Sequence, residues 1–205
     1  MARTVGFDRE RVIRAARTVF WSSGYESASV PDLEAATGLS RSSLYNSFGS
    51  KRGLFEAAVE SYLDEVIRPR LAPLTADVVH PAAIVDYLEG LRAALDDTGS
   101  MSATSGCLLI NAAGAPIAND PEVARVIADY RRELQDAMTR GVLAAHAGMA
   151  TPKDIRRLAE STTGMVIAAL ALARIDPAHA RVTVDTALEL VTAPMAGSTP
   201  AGVNA

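Results

Sequence analysis

A single cysteine, Cys107, stands among 205 residues. No intrachain disulfide framework is possible, and a reducing compartment is the default. Aromatic residues make up only 5% of the chain, so a core must rest on aliphatic and alanine side chains. Alternating apolar and polar residues persist nowhere, which argues against strands. The most apolar stretch, 164–173 (GMVIAALALA), is about half of what a bilayer crossing needs and is flanked by charge. The opening MARTVGFDRERV has no apolar run of signal-peptide type. His80, His146 and His179 lie far apart, without a metal-like His-x-x-x-His spacing. Gly-rich phosphate loops and a serine nucleophile elbow are missing. These absences lead us to expect a cytoplasmic protein without metal, cofactor or membrane segment, and not an enzyme. A Cys107–His pair brought together by the fold is the enzymatic alternative.

Charge is present, and it is unevenly spread. Residues 1–55 hold eight basic and five acidic groups, a net +3, and the remainder holds 12 basic and 19 acidic, a net −7. A basic head on an acidic body fits a nucleic-acid module joined to a different one.

Helical periodicity runs through the chain. A first helix spans about 8–22, with Val12, Ala15, Ala16, Val19 and Phe20 on one face, and Gly24 stops it. Ser29 caps a second helix that carries Pro31 in its first turn and ends before Gly38. Ser40 caps a third, through about Asn46 or Ser47. Ser50 caps a fourth, from Lys51 to about Ile67, bounded by Pro69 and Pro73. Five more are expected at about 81–97, 105–114, 121–146, 152–174 and 177–192, with Gly- and Ser-rich connections such as 98–106. The chain therefore reads as all-α, with about nine helices. It divides into a three-helix head (1–50), a body (51–193) and a small-residue, turn-rich tail (194–205) expected to be disordered.

The segment Val30 to Phe48 (VPDLEAATGLSRSSLYNSF) carries the chemistry. Two short helices meet at Thr37-Gly38-Leu39-Ser40, where glycine supplies backbone freedom. Leu33, Ala36, Leu39 and Leu44 are candidates to pack the pair together. The second helix opens with Ser40, Arg41, Ser42 and Ser43, small or basic groups that fit a major groove. Arg41 suits guanine or a phosphate; Ser42 and Ser43 suit base edges or backbone. Tyr45 and Asn46 at its far end, and Lys51 opening the next helix, suit phosphates. The bland alternative is a common helix pair, with Tyr45 a core aromatic.

This stretch resembles the TetR family of regulators. The resemblance covers about Val12 to Tyr62 and rests on Phe20-Trp21-Ser22-Ser23-Gly24-Tyr25, Ser29-Val30, Gly38-Leu39-Ser40, Leu44-Tyr45-Asn46-Ser47-Phe48-Gly49-Ser50-Lys51 and Leu54-Phe55. It implies a DNA-binding repressor that acts as a homodimer on a palindromic operator. It also implies phosphate contacts from Tyr45 and Lys51, and base or backbone contacts from Arg41, Ser42 and Ser43. Ser29, Ser40 and Asn46 complete the candidate DNA-binding set. Pro31 and Glu34 depart from the family's usual residues and leave the second helix less basic.

In that family the body binds a small-molecule inducer and makes the dimer. The last two helices carry small and aliphatic stripes: Leu158, Ser161, Thr162, Met165, Ala168, Ala169 and Leu172, then Val182, Val184, Ala187, Leu188 and Val191. These resemble the family's four-helix dimer interface; a monomer core using the same faces is the alternative. Two recognition helices must reach half-sites about 34–36 Å apart or a multiple of it. The run Gly106-Cys107-Leu108-Leu109 resembles a sixth-helix motif of a subgroup in which some members sense electrophiles or oxidants through the cysteine. A helix N-terminus favours thiolate, so Cys107 is either a sensor or a small buried hydrophobe. The expected ligand-lining residues are Tyr62, Tyr87, Leu91, Cys107, Leu108, Asn111, Tyr130, Leu134, Met138 and Met165; plain core is the alternative for each. A constitutive DNA binder without inducer is the remaining functional reading.

Overall fold

The computed structural model describes residues 7–194. Among them there is no strand, and eleven α-helical segments follow one another: α1 (Arg9–Ser27), α2 (Val30–Thr37), α3 (Arg41–Phe48), α4 (Lys51–Tyr62), α5 (Arg68–Thr75), α6 (Ala83–Asp96), α7 (Met101–Ser105), α8 (Leu108–Ala113), α9 (Pro121–Ala145), α10 (Pro152–Leu172) and α11 (Pro177–Thr192). A π-helical turn, Leu63–Ile67, joins α4 to α5, and a 3-10 turn, Pro116–Asn119, follows α8. The nine expected helices are present; α5 and α7 are additional. The expected tail lies, from residue 195 on, outside the described residues.

Local chemistry sets most starts. Asp8 accepts from the Arg11 N–H at 3.1 Å and opens α1. Ser29 and Asp32 form a reciprocal capping box on α2, with Pro31 in its first turn. Ser50, Thr151 and Asp176 cap α4, α10 and α11 through side-chain oxygens. Gly24 leaves helical geometry at φ 77°, as its place after the first helix suggests, although helical bonding resumes beyond it to Ser27.

Three expectations need correction. Pro69 and Pro73 do not end the fourth helix. The π turn shifts the hydrogen-bond register, Arg68 N–H bonding Leu63 O, and Pro69 then stands in the first turn of α5. Pro73 lies inside α5, and the Arg140 guanidinium of α9 donates to Thr75 O at the end of that helix at 3.2 Å and also to Ala76 O just beyond it. The helix expected at 105–114 begins later, at Leu108, because Gly106 (φ 66°) and extended Cys107 break the chain. The connection 98–106 is not all loop, since Ser100 caps the short α7. The stretch 101–119 is apolar, with mean hydropathy 1.2, but it is cut into α7, α8 and the 3-10 turn.

The chain forms two compact units. Unit 1 comprises Met1–Pro69 with Cys107–Ala124, and unit 2 comprises Arg70–Gly106 with Arg125–Ala205. In unit 1, α1 packs on α4 and α2, and α3 on α2 and α4. Its core holds Val12, Ala16, Phe20, Leu33, Leu44, Leu54 and Phe55. Phe55 meets Phe20 edge-on at 5.2 Å and Tyr25 at 5.1 Å, and Trp21 meets Tyr62 edge-on at 4.7 Å. In unit 2, α10 packs on α11 and α11 on α6, through Ile84, Leu88, Ala159, Val166, Ala169, Val184 and Ala187 among others.

Candidate nucleic-acid interface

The turn between α2 and α3 is built by Gly38, which takes the left-handed conformation (φ 72°, ψ 12°) while its N–H bonds Glu34 O at 2.9 Å. Leu33 and Leu44 are buried and hold the pair, as expected. Ala36 is exposed and Leu39 only half-buried, so neither is a full core contact. The position beside them, Thr37, is fully buried instead; its hydroxyl donates to Leu33 O at 2.6 Å and accepts from Leu39 N at 3.3 Å. These two hydrogen bonds satisfy a polar group inside the turn.

With Leu44 inward, the other side of α3 faces out. Ser40, Arg41, Ser42 and Asn46 are exposed, Ser43 and Tyr45 half-buried. Ser40 Oγ caps Ser43 N at 3.3 Å and lies 3.0 Å from Ser42 Oγ and 3.1 Å from Ser43 Oγ, forming one cluster of hydroxyls. The Arg41 guanidinium lies over the Tyr45 ring, 5.3 Å from its centre. Lys51 is half-buried; its ammonium sits 4.6 Å from the Tyr25 ring centre and donates to Glu26 O at 3.4 Å. Ser29 is exposed at the start of α2, its side chain engaged with Asp32. All eight candidates are carried at the amino end of α2, along α3 with its cap, and at the first residue of α4, as exposed or half-buried polar groups.

Sequence reasoning missed several supports. Arg9 stacks over Phe48 at 4.3 Å and donates to Ser47 O at 3.2 Å, bracing the far end of α3. Glu34, seen only as a departure, accepts from the Arg41 N–H at 2.5 Å across the turn. Arg52 makes a paired contact to Asp120 at 2.8 and 3.2 Å, and Glu26 accepts from Ile117 N at 2.7 Å. Asp120 also accepts from the N–H groups of Glu122 and Val123. The Arg52 guanidinium, with those N–H groups, holds the Asp120 carboxyl down at about 2. Glu65 is likewise held low by Arg14 and Arg17. No pattern in the sequence joins partners so far apart.

The ten ligand-lining candidates divide between the units. Tyr62, Cys107 and Leu108 are buried and Asn111 half-buried in unit 1. Leu91, Tyr130, Leu134 and Met138 are buried, and Tyr87 and Met165 half-buried, in unit 2. Cys107 immediately precedes α8 and has no solvent exposure. The stripes on α10 and α11 are not single faces. Thr162, Ala169, Val184, Ala187 and Val191 are core of unit 2, because α10 and α11 pack on each other. Ser161, Ala168 and Val182 are exposed, as are Ile175 and Leu190.

Comparison with known proteins fits this geometry. The model of the TetR family of bacterial regulatory proteins matches residues 12–58. The HTH-type transcriptional regulator YezE of Bacillus subtilis is 37% identical over 146 residues, covering 71% of this chain and 73% of YezE. The HTH-type transcriptional repressor ComR of Escherichia coli is 33% identical over 106 residues, covering 51% of this chain and 49% of ComR. A cysteine mutant of the TetR family transcriptional regulator CifR, solved with 26bp double-strand operator DNA, has a TM-score of 0.72 and 28% identity, covering 91% of this chain and 98% of that one.

Proposed function

This chain belongs to the TetR family of bacterial regulatory proteins, and on that premise we propose that it is a transcriptional repressor whose head, residues 1–50, enters the major groove of an operator with α3. One observation carries the reading. The first turn of α3 is held outward by buried Leu44 and presents Arg41 and a cluster of serine hydroxyls to solvent. Arg41 and the serines reach base edges and backbone, and Tyr45, Asn46, Lys51 and Ser29 reach phosphates. The operator complex of CifR supports double-stranded DNA as the partner.

The protein works as a homodimer, since one eight-residue helix reads too few base pairs alone, and a DNA-bound role places it in the cytoplasm. The outward residues Ser161 and Ala168 of α10, Val182 and Leu190 of α11, and Ile175 in the connection between the two helices supply the dimer face. A small molecule taken up by the body (51–193) shifts the population toward a DNA-incompetent state, which it must bind more tightly. Release by a ligand is favoured over thiol chemistry, because a fully buried Cys107 gives an electrophile no access in this state.

The test has two arms. A duplex is recovered by selection from random double-stranded DNA, and the double variant Arg41→Ala, Lys51→Ala is titrated against it. Binding should weaken strongly, with a shallower salt dependence as phosphate contacts are lost; unchanged affinity refutes the head. Compounds are then screened for release of that duplex, from wild type and from Cys107→Ser. Release that persists in Cys107→Ser supports a ligand, and release abolished there transfers the role to the thiol.

A further inference from the structure

We infer that Glu34 sets how sharply the head discriminates its operator from other DNA, by closing the amino end of α3 with a carboxylate. The inference rests on the duplex-binding role proposed for α3. The opening N–H groups of a helix are free donors that attract phosphate whatever the base sequence. In α3 two of the first three are already taken by the protein itself. Arg41 N–H goes to Glu34 Oε1 at 2.5 Å, and Ser43 N–H goes to Ser40 Oγ at 3.3 Å. Glu34 is half-buried and reaches across from α2, seven residues before Arg41. The Arg41 guanidinium lies over the Tyr45 ring.

A DNA phosphate approaching this end therefore meets a negative charge, with two of the three opening donors already engaged. The sequence-independent part of binding, which is phosphate attraction, is lowered. What α3 still offers is side chains: the Arg41 guanidinium and the hydroxyls of Ser42 and Ser43, the groups that read base edges. Glu34 thus gives up affinity common to all duplexes and leaves the affinity that depends on sequence.

Two substitutions separate charge from hydrogen bond. Glu34→Gln keeps an oxygen that accepts from Arg41 N–H and removes the charge; Glu34→Ala removes both. The full-length wild type and both variants are titrated against a duplex selected by the wild type from random double-stranded DNA, and against poly(dI-dC). Glu34→Gln should melt like wild type and bind poly(dI-dC) about two- to five-fold more tightly, the range of one charge at a helix terminus. Its affinity for the selected duplex should rise less, so the ratio of the two falls. Glu34→Ala should show the same direction, with a log–log salt slope steeper by about one phosphate. If Glu34→Gln binds poly(dI-dC) no more tightly while the wild type holds its selected duplex, Glu34 merely supports the turn and the inference is wrong. If the wild type recovers no duplex at all, the head assignment itself fails and the inference falls with it.

Discussion

Replacing Gly38 by alanine should destabilise unit 1 and weaken DNA binding, although alanine is the better helix former. The backbone at Gly38 is left-handed, φ 72° and ψ 12°. An added Cβ would meet nothing within 4 Å. Packing therefore neither penalises nor rewards the change, and the cost is the backbone strain alone. That strain is about 1–2 kcal/mol for an L-residue in this region. For a chain of this size each kcal/mol lowers Tm by about 2–4 °C. Trp21 is the only tryptophan and is buried in unit 1, so its fluorescence in urea or on heating follows the affected unit. Asparagine, which tolerates the left-handed region, should cost less than alanine. The helical Gly90 in α6, also with open space around its position, is the internal control. Gly90→Ala should gain about 0.5–1 kcal/mol, read by circular dichroism. A Gly38→Ala protein as stable as wild type, or more so, would mean that α2 and α3 are not joined by this turn.

Three further outcomes are expected. Leu44→Ala should cost about 2–5 kcal/mol by chemical denaturation, because Leu44 is fully buried and fixes the inward side of α3. Asp120 is held down at about 2 from 3.8, so its pairing with Arg52 stabilises the fold above the ordinary carboxylate range and is lost as pH falls through about 2. Wild type should then lose stability more steeply between about pH 4 and 2 than Asp120→Asn, when unfolding midpoints are compared across that window. Arg9→Ala should lower the affinity for the selected duplex while leaving the bases protected in footprinting unchanged, since Arg9 braces the end of α3 through Phe48 and Ser47.

The legible parts of the fold were those written in short stretches. Ser29, Ser40, Ser50, Thr151 and Asp176 announce helices because a cap bonds within three residues of itself. Gly38 announces the turn for the same local reason. The end of α5 was not legible, because the Arg140 guanidinium that donates to Thr75 O there lies 65 residues further along the chain. The stripes on α10 and α11 misled at the level of single residues. Periodicity says that a face is apolar, but only the partner helix decides that Thr162 and Ala169 go inward while Ala168 stays out. In the candidate site, the outward set on α3 could be read because buried Leu44 fixes the rotation of a short helix. The Glu34 bond could not, since a carboxylate seven residues before a helix has no fixed partner until the turn angle is known.

The first turn of α3 is proposed to enter a duplex in two copies per assembly. Ser42 is exposed there, and the native Cys107 is buried, so Ser42→Cys can be labelled with an iron–EDTA cleaving group. On the selected duplex the label should cut at two symmetric clusters, separated by about one helical turn of 10–10.5 base pairs or a whole multiple of it. A label on Ser23→Cys, in the exposed last part of α1, should not reproduce those cuts. One cluster only, no cleavage, or the same pattern from both labels would contradict the account.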